Sequence, residues 1–178
     1  LLYSAVKSDR PMAIRYPRSP GVGVELDREL RSIPIGKGEV VRHGNDVAIL
    51  AIGSTVAPAV EAAKLLASNG IEAKVINCRF AKPLDSELII DVTSRIKRLL
   101  TVEENALSGG FGSSVVALIQ NLGISDLRVK SIGIPDEFVE HGSQAILRSK
   151  YSLDARGIVR QTLALLTEVE PETKAASI

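Results

Sequence analysis

Short aliphatic runs alternate with segments of helical period from residue 39 to residue 167, and that alternation leaves few folds open. The runs at 39–43, 46–52, 71–77, 98–102 and 127–132 have the length and β-branched content of strands. Between and after them, 54–67, 85–95, 113–122, 143–149 and 154–167 carry apolar residues at helical spacing. Strand, helix and strand in succession imply right-handed parallel crossovers. The expected fold is an α/β three-layer sandwich, with a mixed, mostly parallel five-stranded sheet between helical layers. Aromatic residues make up only 3% of the chain. The core must therefore be Val, Ile, Leu and Ala, which suits strands buried on both faces.

Local signals refine this picture. Gly44-Asn45 between the first two runs predicts a tight turn, and with it an antiparallel first pair. Ser54 is placed to cap the first long helix, whose inner face should hold Val56, Val60, Ala63 and Ala67. Asn69-Gly70 should end it by admitting a left-handed residue. Asp85 and Ser143 are further caps. Upstream, 1–7 reads as a helix and Pro11 to Pro17 as an extended segment too small for a sheet of its own. The expected division is 1–20 as the end of a preceding domain, 21–35 as a linker, 36–167 as the main domain and 168–178 as a polar tail. The chain begins at Leu1 rather than Met, so its true N-terminus is expected upstream.

Charge and cysteine usage exclude some classes of function. The 22 basic and 21 acidic residues are interspersed, leaving no stripe for a nucleic-acid backbone. One cysteine, Cys78, excludes an internal disulfide framework and fits a reducing compartment. No apolar run approaches the ~20 residues of a membrane helix.

Four stretches together resemble one family, the 1-deoxy-D-xylulose-5-phosphate synthases. Arg15-Tyr-Pro-Arg18, followed by Gly21 and Gly23, is similar to the end of their pyrimidine-binding domain, although Ser19-Pro20 stands where many relatives have glycine. Ile35-Gly-Lys-Gly38 resembles the start of their last domain, and Cys78 to Asp85 a strand-to-helix connection in it. Thr101-Val-Glu-Glu-Asn-Ala106, with Gly109 to Ser113 and Gly133 to Phe138, completes the match. The resemblance implies a transketolase C-terminal-domain-like fold. It also implies a homodimeric parent that condenses pyruvate with D-glyceraldehyde 3-phosphate to 1-deoxy-D-xylulose 5-phosphate and CO2. That parent would use thiamine diphosphate and Mg2+ in bacterial cytoplasm or plastid stroma, and feed isoprenoid, thiamine and pyridoxal synthesis. The family's catalytic, cofactor-binding and metal residues all lie upstream, so none is expected here, and this segment alone should be inactive and bind no cofactor. Two other readings compete: the last domain of a transketolase or of a 2-oxoacid dehydrogenase β-subunit, and a free-standing module for subunit association.

The resemblance places Arg18 on the substrate phosphate, and a planar guanidinium suits that task because it grips two oxygens at once. Arg15 is expected to pair structurally. Gly109 to Ser113 before a helix could cradle an anion, but glycine is equally needed where backbone packs closely on a sheet. The loop lacks the Lys-Ser/Thr of a phosphate loop. Glu103 and Glu104 are strand neighbours that point to opposite faces and so cannot form one dyad; a contact across a domain or subunit boundary is expected instead. His43 is expected to be solvated, His141 to precede a helix capped by Ser143, and Cys78 to sit in the core. The helix at 113–122 is the candidate dimer contact.

Overall fold

A computed structural model of the chain describes residues 1–17, 21, 23 and 28–167. Arg18, Ser19-Pro20, most of 21–27 and the tail 168–178 lie outside the described residues. Five strands form one sheet: β1 (Glu39–Arg42), β2 (Val47–Ala51), β3 (Ala73–Asn77), β4 (Arg98–Ala106) and β5 (Arg128–Ile134). Their order is β1-β3-β2-β4-β5. β2 runs parallel to both β3 and β4, β4 is parallel to β5, and only β1 is antiparallel.

Strand periodicity decides which residues meet which helices. Val47, Ile49, Ala51, Val75, Leu100 and Val102 point to one side. There they meet α2 (Val56–Ala67) and α6 (Ala155–Thr167), through Ala59, Ala62, Ala63, Leu66, Ile158 and Leu165. Ala48, Leu50, Ile76 and Leu99 point to the other, against Ile89 and Val92 of α3 (Ser86–Arg95) and Phe111, Val115 and Ile119 of α4 (Phe111–Asn121). The result is the three-layer sandwich, with α1 (Leu2–Lys7) and α5 (Gln144–Lys150) outside its core.

Three expectations are corrected. β1 and β2 do not form a hairpin: β3 lies between them, and β1 pairs with β3, Glu39 opposite Asn77. The turn at Gly44 wraps instead around the start of β3. The Asp46 N–H donates to the Glu72 carbonyl (3.0 Å), and the Glu72 N–H donates to the Asp46 carboxylate (2.7 Å). Ser54 is not a helix cap. A 3-10 turn, Gly53–Thr55, leads into α2, and the Ser54 hydroxyl serves elsewhere. The inner face of α2 is also rotated, to Ala59, Ala62, Ala63 and Leu66, with Val56 and Val60 at its margin. Asp85 and Ser143 do cap their helices, accepting from Leu88 N–H (3.2 Å) and Ile146 N–H (3.4 Å), and Gly70 is left-handed at φ 76°. Residues 11–17 are in no strand of this sheet.

Candidate functional site

Connections leave β2 and β4 in opposite directions. β2 passes through α2 to β3 on one side, while β4 passes through α4 to β5 on the other, and the two helices cover opposite faces. The carboxyl ends of β2 and β4 are therefore the switch point of the sheet, where open α/β folds place ligands. Thr55 ties these ends together, its buried hydroxyl within 2.9 Å of the Ile52 and Val102 carbonyls.

At this point β4 departs from regular pairing. It matches β5 from Arg98–Arg128 to Val102–Ile132, and the next pair is Ala106–Ile134, so Glu103, Glu104 and Asn105 face Gly133 alone. A Cβ on Gly133 would lie 2.9 Å from the Asn105 carbonyl oxygen, which is why the bulge needs glycine beneath it.

The two glutamates do opposite things. Glu103 is buried, and its carboxylate accepts from the Phe111 N–H at Oε2 and the Gly112 N–H at Oε1, each at 2.7 Å. Those N–H groups are the free donors of the α4 N-terminus, where a negative charge is stabilised by the helix dipole. The cradle suggested by Gly109 to Ser113 is thus filled by the chain's own carboxylate. Gly110 serves that contact, since a Cβ there would lie 2.5 Å from Glu103 Oε2, while Gly112 lets α4 approach the sheet, since a Cβ there would lie 2.5 Å from Thr101 Oγ1.

Glu104 emerges on the other side, half-buried, and accepts from the Ser54 hydroxyl and from Arg148 Nε (2.5 Å). Burial alone would raise its pKa. The Arg148 and Ser54 hydrogen bonds, with the charges of Arg148 and Arg15, overcome that and hold the carboxyl below the usual range. Arg15 reaches in from the N-terminal arm, one guanidinium nitrogen donating to Asn105 Oδ1 and the other to the Glu104 carbonyl (3.3 Å). Arg15 therefore pairs structurally, as its position suggested, and the two carboxylates share no proton.

Sequence reasoning missed Ser54, Asn105 and Arg148 as members of this network. The signal for Ser54 was its place just past β2; for Asn105 it was adjacency to Glu104. Arg148, on an exposed helix, gave none. His43 and His141 are both exposed. Cys78 lies in the core, and burial, with the Asp85 charge adding, pushes its thiol up to about 12.

Two stretches of the resemblance meet at the start of α3. Besides capping the helix, Asp85 accepts from the Gly38 N–H (3.0 Å) and from Lys37 Nζ (3.3 Å). Burial opposes the charge on Asp85, but these donors outweigh it and lower the pKa. Gly36, at φ 76°, brings the chain against Pro83.

Among the described residues no three His, Cys, Asp or Glu side chains are grouped to hold a metal ion, and no helix is long and apolar enough to cross a membrane. The α4 N-terminus, where a diphosphate could meet free N–H groups, carries Glu103 instead.

The chain is 54% identical over 166 residues to 1-deoxy-D-xylulose-5-phosphate synthase 1 of Geobacter sulfurreducens, covering 93% of this chain and 26% of that protein. It is 47% identical over 168 residues to the 1-deoxy-D-xylulose-5-phosphate synthase of Halothermothrix orenii, covering 94% and 26%. The chain thus spans about a quarter of the length of the curated relatives it matches. Among solved structures, it superposes on a split-gene transketolase, an inactive beta4 tetramer, with a TM-score of 0.71 and 36% identity, over 77% of this chain and 44% of that one. A transketolase mutant from Pichia stipitis, at 20% identity and TM-score 0.52 over 74% of this chain and 18% of that one, shares the fold. The model of the transketolase C-terminal domain matches residues 36–158, which contain the whole sheet, and the chain belongs to that family.

Proposed function

We propose that this chain is the C-terminal segment of a thiamine-diphosphate-dependent transferase that condenses pyruvate with D-glyceraldehyde 3-phosphate to 1-deoxy-D-xylulose 5-phosphate and CO2. The observation that carries this reading is identity of 54% over 93% of the chain to a synthase of that name. The same measure favours it over transketolase, where identity falls to 36%. In the full-length enzyme, thiamine diphosphate supplies a stabilised carbanion and Mg2+ neutralises its diphosphate. This segment binds neither, and its own work is structural and substrate-directed. Titration calorimetry of the chain with thiamine diphosphate and Mg2+ is expected to give no specific heat; micromolar binding would refute this division of labour.

Arg18 is the residue assigned to substrate. Its support is its place in Arg15-Tyr-Pro-Arg18, with the fork geometry of guanidinium toward phosphate as the physical reason. Arg18→Ala in the full-length enzyme should lower kcat/KM for D-glyceraldehyde 3-phosphate by roughly 10- to 150-fold, the loss of one charge-assisted contact. Pyruvate should keep its KM within a few-fold, and an unphosphorylated aldehyde should be nearly indifferent. Equal losses for both aldehydes would show that Arg18 does not bind phosphate.

The second role is assembly into a homodimer. The apolar period of α4 is mostly taken up by the sheet, through Phe111, Val115 and Ile119. What remains for a partner is the outer side, where Val116 and Leu122 are exposed.

A further inference from the structure

We infer that the cleft at the amino ends of β2, β3 and β4 is a binding site for an oxyanion of the phosphate class, with Arg98 as its anchor. The cleft measures about 430 Å³ and lies at the end of the sheet opposite the switch point. Its walls come from the residues that open the strands: Asn45 and Asp46 before β2, Ile71 before β3, Lys97 and Arg98 at the start of β4. Arg95 from the last turn of α3 adds a further cation, and Leu166 of α6 an apolar surface.

Three cations and one carboxylate thus line the cleft, and they are not equivalent. Arg95 is paired with Asp91 (3.0 Å), Lys97 with Asp126 (3.0 Å), and the Asp46 carboxylate accepts from the Glu72 N–H (2.7 Å). Arg98 differs. Among the described residues it makes no ion pair, and its Nε is buried without an acceptor. Its opposite number in the β4–β5 register is Arg128, so the neighbouring strand sets positive charge beside positive charge. A buried N–H without an acceptor and a guanidinium without a counter-charge are both relieved by one kind of group, an oxyanion. Water would satisfy the N–H but not the charge. A phosphate suits the place better than a carboxylate, because its oxygens can serve the Arg98 fork and the Lys97 ammonium together. The volume is in the range of small-molecule sites, about 300–1,000 Å³. It admits free phosphate or the head of a small organic phosphate, whose carbon part would lie against Ile71 and Leu166.

The test is NMR of the whole 178-residue chain, titrated with inorganic phosphate and separately with glycerol 3-phosphate. Sodium chloride at matched ionic strength is the reference, because screening alone moves charged groups. Phosphate should give saturable shifts of the Arg98 Nε–H and of the Asn45 and Ile71 amides, with a Kd of about 0.1–5 mM. Chloride should not. Arg98→Gln should weaken binding about 10-fold or more, and Lys97→Gln only about 3-fold, since Lys97 already has a carboxylate partner. Arg98→Lys should retain part of the affinity, as a point charge without the fork. If Arg98→Gln does not fold, Arg98→Lys carries the comparison, and an affinity equal to the parent chain's would then overturn the site. Glycerol 3-phosphate binding about 3-fold tighter than phosphate or better would support an organic phosphate as ligand, and equal affinities would support the free ion. Shifts that grow linearly with phosphate, that chloride reproduces, or that survive Arg98→Gln would overturn the inference and leave Arg98 a cation solvated by water.

Discussion

Single carboxylates do much of the joining in this domain, and pH reads them directly. Asp85 holds the Gly36 to Gly38 segment to α3, and Glu104 joins β4 to Ser54 and Arg148. Both have pKa values below the usual carboxylate range in the folded chain. A depressed folded pKa stabilises the native state above the unfolded value, and that contribution is lost as pH falls through the folded one. Urea unfolding of the chain should therefore give a plateau near neutrality and a decline beginning at about pH 4–5, where free carboxylates start to protonate. Asp85→Asn keeps a capping oxygen but loses the charge that meets Lys37 and the Gly38 N–H, so it should start less stable by about 0.5–2 kcal/mol and decline less steeply in acid. An unchanged acid limb in both Asp85→Asn and Glu104→Gln would mean that neither carboxylate governs it.

Elements were legible where periodicity and caps sufficed, and illegible where a neighbour distant in sequence decided. All five strands and every helix from α2 onward could be read from apolar spacing. Alternation along β4 correctly sent Glu103 and Glu104 to opposite faces. Gly44-Asn45 misled because a turn dipeptide reports that the chain reverses, not which strand fills the space beside it. Gly44 is required for another reason: a Cβ there would lie 2.4 Å from both the Ala73 carbonyl carbon and the Glu72 oxygen. Backbone at that distance cannot yield as a side chain can. Gly44→Ala should cost about 1–3 kcal/mol and lower the melting temperature by several degrees. A melting point equal to that of the parent chain would show that the turn is slack. Ser54 misled for a similar reason: its hydroxyl could satisfy a helix N–H or a distant carboxylate, and only the fold brings Glu104 within reach.

The whole molecule is a sandwich with most of its helical apolar surface already turned inward, which bears on assembly. Val116 on α4 and Leu122 just past its end are exposed but too few for a stable interface alone, since specific dimers bury about 800 Å² per partner. The chain by itself should sediment as a monomer at micromolar concentration, while the full-length parent sediments as a dimer to which this domain adds area. A monomeric parent at that concentration would remove the assembly role. Consider, finally, the buried Glu103 at the head of α4. A search for glycine-rich turns ahead of helices would return Gly109 to Ser113 as an anion cradle, and it would be a false positive with an instructive cause. The loop does bind an anion, but one tethered to the same polypeptide, whose local concentration no free metabolite can match. The donors that a phosphate would need are already engaged, and Gly110 among the loop's glycines lets a strand be moored that tightly to a helix.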